Sequence, residues 1–220
     1  MLLQRTPDLR EPLTQAANQL GLTLTEAQID QLQAYLALIH KWNQVYNLTA
    51  MRQPAAMLTQ HLVDSLSLVE PLRRHTQGRA LRVMDVGSGG GLPGVVLAIV
   101  MPELTVVCVD AVAKKASFIQ QVAAELRLPN LRGEHSRVEQ LKTEPFDLIT
   151  SRAFASLVDF TQLTRQHLKP DAIWLAMKGQ TPQDEMAALP ADVTVFHVEQ
   201  LNVPGLDAQR CLVWLRPITS

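Results

Sequence analysis

The amino-acid sequence predicts an α/β protein, a doubly wound, mostly parallel seven-stranded sheet with an antiparallel last strand, preceded by a small helical extension. Three observations carry this. Strand-like and helix-like segments alternate over residues 76–220, the rhythm of a parallel sheet covered on both faces. The glycine-rich run DVGSGGGLPG, Asp85 to Gly94, leads from a β-type apolar run into an apolar helical pattern. Near the end, VTVFHVEQL and CLVWLRP are joined only by NVPGLDAQR, which leaves no room for a crossover helix, so these two strands pair antiparallel.

Taken in order, the first strong element is TEAQIDQLQAYLALIHKWNQVYN. Thr25 followed by Gln28 makes a capping box, and Ile29, Leu32, Leu36 and Ile39 recur at helical spacing. A second helical stretch, MLTQHLVDSLSLVEPL, is expected to end near Pro71, and RRHTQGR reads as a loop. Residues 1–75 are thus the helical extension and 76–220 the sheet domain. Within the latter, LRVMDVG, LTVVCVD, a short run near LRGEHSRV, FDLITSRA and AIWLAMKG read as strands. Helices are expected to start near Leu92, Ala113, Ser156 and Thr181. Pro93 suits a first helical turn, where its missing N–H costs nothing.

The bulk composition narrows the function classes. An apolar fraction of 47% over 220 residues supports a sizeable core. A net charge of −1 means that an anionic partner must be met by a local basic surface, not by the whole-molecule field. Cys108 and Cys211 lie in strand-like runs without metal-ligand spacing and read as reduced core residues. The opening MLLQRTPDLREPLTQ lacks a signal peptide's continuous apolar core, and no apolar run approaches membrane-spanning length. The expectation is a soluble, cytoplasmic protein without a membrane partner or a metal.

The glycine run is the candidate site. Gly87, Gly89, Gly90, Gly91 and Gly94 exceed what a tight turn needs and suit close approach of backbone to a ligand. Gly89, Gly91 and Gly94 satisfy GxGxxG, which suggests a dinucleotide, but S-adenosylmethionine sites share this geography. Both ligands want an acid after the second strand for ribose hydroxyls, and Asp110 in VVCVDA fills that place or caps the next helix. Two features tilt the choice toward the methyl donor. Asp85 would repel a pyrophosphate but suits a sulfonium and an ammonium, and the antiparallel tail suits a methyltransferase better than a dehydrogenase. Asp85 itself reads as an organiser of the glycine loop and of the cofactor's methionine end, or as a purely structural loop acceptor.

At this point six ordered blocks carry a resemblance: WNQVYNLTAM, HLVDSL, DVGSGGGLPG, SRVEQ, SRAFASL and LAMKGQ. Over about Leu20 to Pro217 the chain resembles the bacterial 16S ribosomal RNA methyltransferase G family, also called glucose-inhibited division protein B. The resemblance implies a class I, Rossmann-like methyltransferase that moves a methyl group from S-adenosylmethionine to N7 of one guanine in 16S ribosomal RNA. By similarity Gly87, Leu92, Val138, Glu139 and Arg152 fall on positions that line the cofactor, Val138 and Glu139 toward the adenine. Arg152 is equally placed for the methionine carboxylate or the target nucleotide. Gly90 departs from the proline or lysine frequent in the family, which alters loop stiffness more than ligand identity.

Guanine N7 has an in-plane lone pair and no proton, so no general base is expected and catalysis is alignment. The base must leave its stack, which apolar or aromatic surface near the pocket would assist. Lys178, after the fifth strand, reads as a phosphate contact or as a solvated lysine. Lys114 and Lys115 open a helix where lysine opposes the dipole. In the extension, His61 and Asp64 stand at i and i+3, and Asn47 and Thr49 follow the helix that carries Trp42. Their plain reading is structural, with Trp42 and Tyr46 in the core; the resemblance instead makes these blocks a lid toward RNA. Two alternatives stay open: a catalytically silent RNA-binding or ribosome-assembly factor, and a nicotinamide-dependent oxidoreductase. The partner expected for the methyltransferase is 16S RNA within the small subunit or an assembly intermediate, since near-neutral charge disfavours naked RNA.

Overall fold

The computed structural model describes residues 8–152, 154 and 156–218. The start of the opening segment, up to Pro7, therefore lies outside the described residues, as do Ala153 and Ala155 of the SRAFASL block. Ahead of the sheet lie α1 (Arg10–Gln19), α2 (Glu26–Tyr46), α3 (Pro54–Met57), α4 (Asp64–Leu66) and α5 (Val69–Thr76). The sheet domain then alternates β1 (Arg82–Val86), α6 (Gly94–Val100), β2 (Thr105–Asp110), α7 (Ala113–Glu125), β3 (Leu131–His135), β4 (Phe146–Ser151), α8 (Leu157–Thr164), β5 (Leu168–Lys178), α9 (Gln183–Ala187), β6 (Val193–Leu201) and β7 (Arg210–Pro217). No helix among the described residues is long and apolar enough to cross a membrane.

The capping box forms as the sequence indicates. Gln28 N–H donates to Thr25 Oγ1 at 3.2 Å, and Thr25 N–H donates to Gln28 Oε1 at 3.0 Å. At the other end of α2, Asn47 takes a left-handed conformation (φ 50°) and stops the helix. The second helical stretch departs from expectation. Leu58–Val63 winds as a π-helix between α3 and α4, and α5 starts at Val69 and runs through Arg73–Thr76. Pro71 stands in the first turn of α5, where its absent N–H has no intrahelical carbonyl to serve, so it opens a helix there. RRHTQGR is therefore loop only from Gln77, which is left-handed at φ 51°. Pro93 likewise precedes α6 as its cap instead of standing in its first turn.

One seven-stranded sheet has the order β3-β2-β1-β4-β5-β7-β6. Parallel pairing joins β3 through β5, and β7 is antiparallel to both β5 and β6. Side-chain alternation divides each central strand between two apolar layers. Val83, Val106, Cys108, Leu148, Leu175 and Trp214 pack beneath the extension, α6 and α7. Met84, Val107, Ile149, Trp174 and Val213 pack beneath α8 with Leu157 and Phe160. Both cysteines are buried and unpaired, and burial pushes the Cys108 thiol up. The strand order reverses between β1 and β4, so the crevice beyond their carboxyl ends is where a ligand of this architecture binds.

Candidate functional site

The glycine loop leaves β1 in a fixed shape because its N–H groups find acceptors in neighbouring elements. Gly87 and Ser88 donate to the Val109 carbonyl at 2.8 and 3.3 Å, and Gly91 and Leu92 donate to the Ser88 carbonyl at 2.8 and 3.1 Å. Gly89 N–H donates to Asp110 Oδ2 at 2.9 Å, while Asp110 Oδ1 accepts from Val112 N–H at 2.9 Å. Asp110 thus ties the loop to the second strand; the residue capping α7 is Val112, with no side-chain cap. Gly87, Gly89 and Gly91 have φ of 67°, 59° and 90°, a region that L side chains resist. At Gly94 the demand is steric: a Cβ there would lie 2.4 Å from Cys108 Sγ and 2.8 Å from Asp85 Oδ2.

Asp85 sits beneath the loop, fully buried, and accepts Gly94 N–H at 2.8 Å. Burial raises its carboxyl from 3.8 to about 7, against the opposing pull of the Gly94 hydrogen bond and Arg152. It therefore organises the loop from below, and the repulsion argument against a pyrophosphate, which needs an ionised carboxylate facing the ligand, loses its force.

Three adjoining cavities run along the carboxyl edge of the sheet. One of about 400 Å³ is lined by Gly87, Asp110, Val138, Glu139 and Phe154, among others. A second, of about 270 Å³, continues past Gly87, Gly89, Leu92 and Lys115 to Thr49, His61 and Arg152. The third, of about 380 Å³, shares Thr49, His61 and Arg152 and adds Asp64, Lys178 and Arg210. The first two fit an elongated nucleoside-bearing ligand: small and apolar walls, positive-φ glycines where backbone meets the cleft, and a carboxylate on the second strand. Lys115 Nζ stands 3.8 Å from that carboxylate, whereas Lys114 is exposed.

The third cavity is charged. Asp64, with 5% of its side chain exposed, lies between two arginines: Arg152 Nη1 donates to Oδ2 and Arg210 Nε to Oδ1, both at 2.8 Å. Lys178 Nζ pairs with Glu185 Oε2 at 2.7 Å and donates to the Phe154 carbonyl at 3.2 Å. His61 Nε2 and Thr49 Oγ1 are 2.8 Å apart, and Thr49 N–H donates to Asn43 Oδ1. Burial, then Arg152, pushes the His61 pKa down, which keeps the imidazole neutral. Three cations against Asp64 and the Glu185 paired with Lys178 leave this cavity with one net positive charge, suited to a phosphate or to the acceptor edge of a base.

Every expected site residue except Asp85 and Asn47 lines this cleft. Asn47 is exposed and accepts a long 3.4 Å hydrogen bond from Arg52. His61 and Asp64 share one cavity but bond to different partners, because the π-helix and the arginines redirect them. Val138 presents its side chain while its carbonyl is taken by His167 Nε2 at 2.6 Å. Glu139 is exposed, with Arg137 Nη1 at 4.0 Å. Trp42 packs edge-on against Phe118, but Tyr46 is 41% exposed and not core. Arg210 is the main omission. The antiparallel β7 brings its amino end to the edge where parallel strands bring their carboxyl ends, and the Lys178–Cys211 register sets Arg210 beside the fifth strand's mouth.

Solved structures with this architecture define the class. The 1,6-didemethyltoxoflavin-N1-methyltransferase of Burkholderia thailandensis, solved with S-adenosylhomocysteine, superposes at TM-score 0.57 and 15% identity, covering 90% of this chain and 92% of that one. A SAM-dependent methyltransferase from Aquifex aeolicus gives 0.53 at 16% identity, covering 70% and 93%. The fold is that of the S-adenosylmethionine-dependent methyltransferases. Sequence comparison goes further: residues 28–213 match the family model for rRNA small subunit methyltransferase G. Proteins named ribosomal RNA small subunit methyltransferase G from Acidovorax ebreus (strain TPSY) and Leptothrix cholodnii (strain ATCC 51168 / LMG 8142 / SP-6) are 62% and 59% identical over 218 and 211 residues, each covering 96% of both chains. The chain belongs to this family, which displaces the nicotinamide-dependent oxidoreductase alternative.

Proposed function

We propose that this chain transfers the methyl group of S-adenosylmethionine to N7 of a guanine in 16S ribosomal RNA, with cofactor along the glycine loop and guanine in the adjoining charged cavity. The observation that carries the reading is the meeting of two chemically different cavities at Thr49, His61 and Arg152, beside the glycine loop. Asp110 offers its carboxylate to ribose hydroxyls, Val138 and Glu139 wall the adenine side, and Gly87, Gly89 and Leu92 form the floor toward the methionine end. Bound there, the cofactor supplies a sulfonium methyl to an attacking lone pair.

The chain's own work is alignment. N7 carries no proton, so a neutral His61 that takes up no proton is no handicap. Arg152 and Arg210, held in direction by Asp64, orient the nucleotide through its phosphate or guanine O6, and Lys178 adds a phosphate contact. Thr49, held by Asn43, bounds the entrance, and Asn47 lies on the exposed rim. On this reading residues 1–75 supply the RNA-facing wall and residues 76–220 the methyl-transfer domain. A local electropositive cavity on a molecule of net charge −1 favours a structured ribonucleoprotein substrate in the cytoplasm, the small subunit or an assembly intermediate.

The test is transfer of label from S-adenosylmethionine to small subunits purified from cells lacking the endogenous activity, mapped by cleavage at N7-methylated guanine. One labelled guanine is expected. Cofactor binding without label would support the catalytically silent assembly factor and refute the proposal.

A further inference from the structure

Tyr35, on α2 but outside the six blocks of resemblance, touches the glycine loop from behind. The residue is fully buried on α2, stacked against Phe118 with ring centroids 6.4 Å apart, and its hydroxyl donates to the Gly90 carbonyl at 2.6 Å. A buried hydroxyl without an acceptor is costly, and phenylalanine would fill the same space, so the oxygen has a use only through that carbonyl. The peptide unit from Gly90 to Gly91 is thereby held at both ends, since Gly91 N–H donates to Ser88 O at 2.8 Å. Around Gly90 itself a Cβ would meet nothing within 4 Å, so no side-chain packing at that position steadies the chain. Burial pushes the Tyr35 phenol well above its ordinary range, so it remains a donor throughout the neutral range.

We infer that Tyr35 is a positioning residue for the cofactor: by fixing the Gly90 carbonyl it holds the glycine loop in the shape that receives the ligand, and it couples docking of α2 to cofactor occupancy. The inference rests on the cofactor placement proposed above. Linkage makes the coupling reciprocal, so a bound ligand that orders the loop must also protect α2.

The experiment measures S-adenosylhomocysteine affinity by calorimetry for Tyr35→Phe, Gln31→Ala and Asp110→Ala, with hydrogen exchange of α2 in the presence and absence of the ligand. Gln31 ties the same helix to the Leu126 carbonyl at 3.0 Å, away from the loop, and controls for simple helix docking. Loss of one hydrogen bond to the loop predicts about five- to tenfold weaker binding for Tyr35→Phe. KM for S-adenosylmethionine should rise accordingly, with kcat at saturating cofactor within about twofold of wild type. Gln31→Ala should bind normally, and ligand protection of α2 should vanish only in Tyr35→Phe. Unchanged affinity in Tyr35→Phe, or equal weakening by Gln31→Ala, overturns the inference. If Asp110→Ala also binds normally, the cofactor placement is what fails.

Discussion

Replacing Asp64 with asparagine removes the charge that holds Arg152 and Arg210 together while keeping the shape of the side chain. Both arginine contacts are 2.8 Å, the carboxylate is 5% exposed, and the arginine side chains are 23% and 25% exposed. Removing one partner of a fully buried pair costs about 3–5 kcal/mol. Partial hydration of the two guanidinium groups, and an amide oxygen that still accepts one of the two hydrogen bonds, reduce this to about 2–3 kcal/mol. In a chain of this size that corresponds to a Tm lower by about 5–10 °C. Equilibrium urea unfolding gives the stability, and methyl transfer to small subunits gives the function. Turnover should fall by more than S-adenosylhomocysteine affinity, because Arg210 borders only the charged cavity while Arg152 also borders the glycine-loop cavity. In an Arg210→Gln background the same substitution should cost less, since one of its two counter-charges is already gone. An Asp64→Asn variant within about 0.5 kcal/mol of wild type, with wild-type turnover, would refute the reasoning that this carboxylate organises the cavity.

Three further outcomes follow from the geometry. Gly94→Ala places a Cβ against Cys108 and Asp85 and should destabilise by about 1–3 kcal/mol, with weaker cofactor binding measured by calorimetry. Asp85 holds in the folded state a proton that the unfolded chain releases above its ordinary 3.8, so stability should fall as pH rises from about 4 to about 7 and then level off. The full loss is on the order of 4 kcal/mol, and urea midpoints at pH 5 and pH 8 should show that Asp85→Asn lacks this slope. Thr25→Ala breaks the capping box of α2 and should cost about 1 kcal/mol in the same unfolding assay while leaving turnover at saturating substrates unchanged.

Local periodicity made the strands, the capping box and the glycine loop legible, because each depends on residues a few positions apart. The near-continuous apolar runs of β1 and β2 follow from burial on both faces of a sheet, and the short NVPGLDAQR link required an antiparallel pair wherever it fell. The glycine loop was readable because positive φ and close approach restrict the residue type at the site itself. The acceptor base and atom, in contrast, entered through six ordered blocks of resemblance and not through any local rule.

Tertiary structure decided what joins residues far apart in the chain. Asp64 and Arg210 are separated by 146 positions, and Tyr35 and Gly90 by 55; no spacing in the sequence foretells either hydrogen bond. Arg210 escaped notice because an antiparallel strand presents its amino end at the site. Tyr35 stands beside the apolar stripe of α2, and nothing local in the sequence sets its hydroxyl apart. Asp85 was legible as an organiser of the glycine loop, but the complete burial that raises its carboxyl to about 7 was not. In each case burial and distance set the role of a polar side chain, and these are properties of the packed chain, whereas its backbone elements were set by short-range pattern.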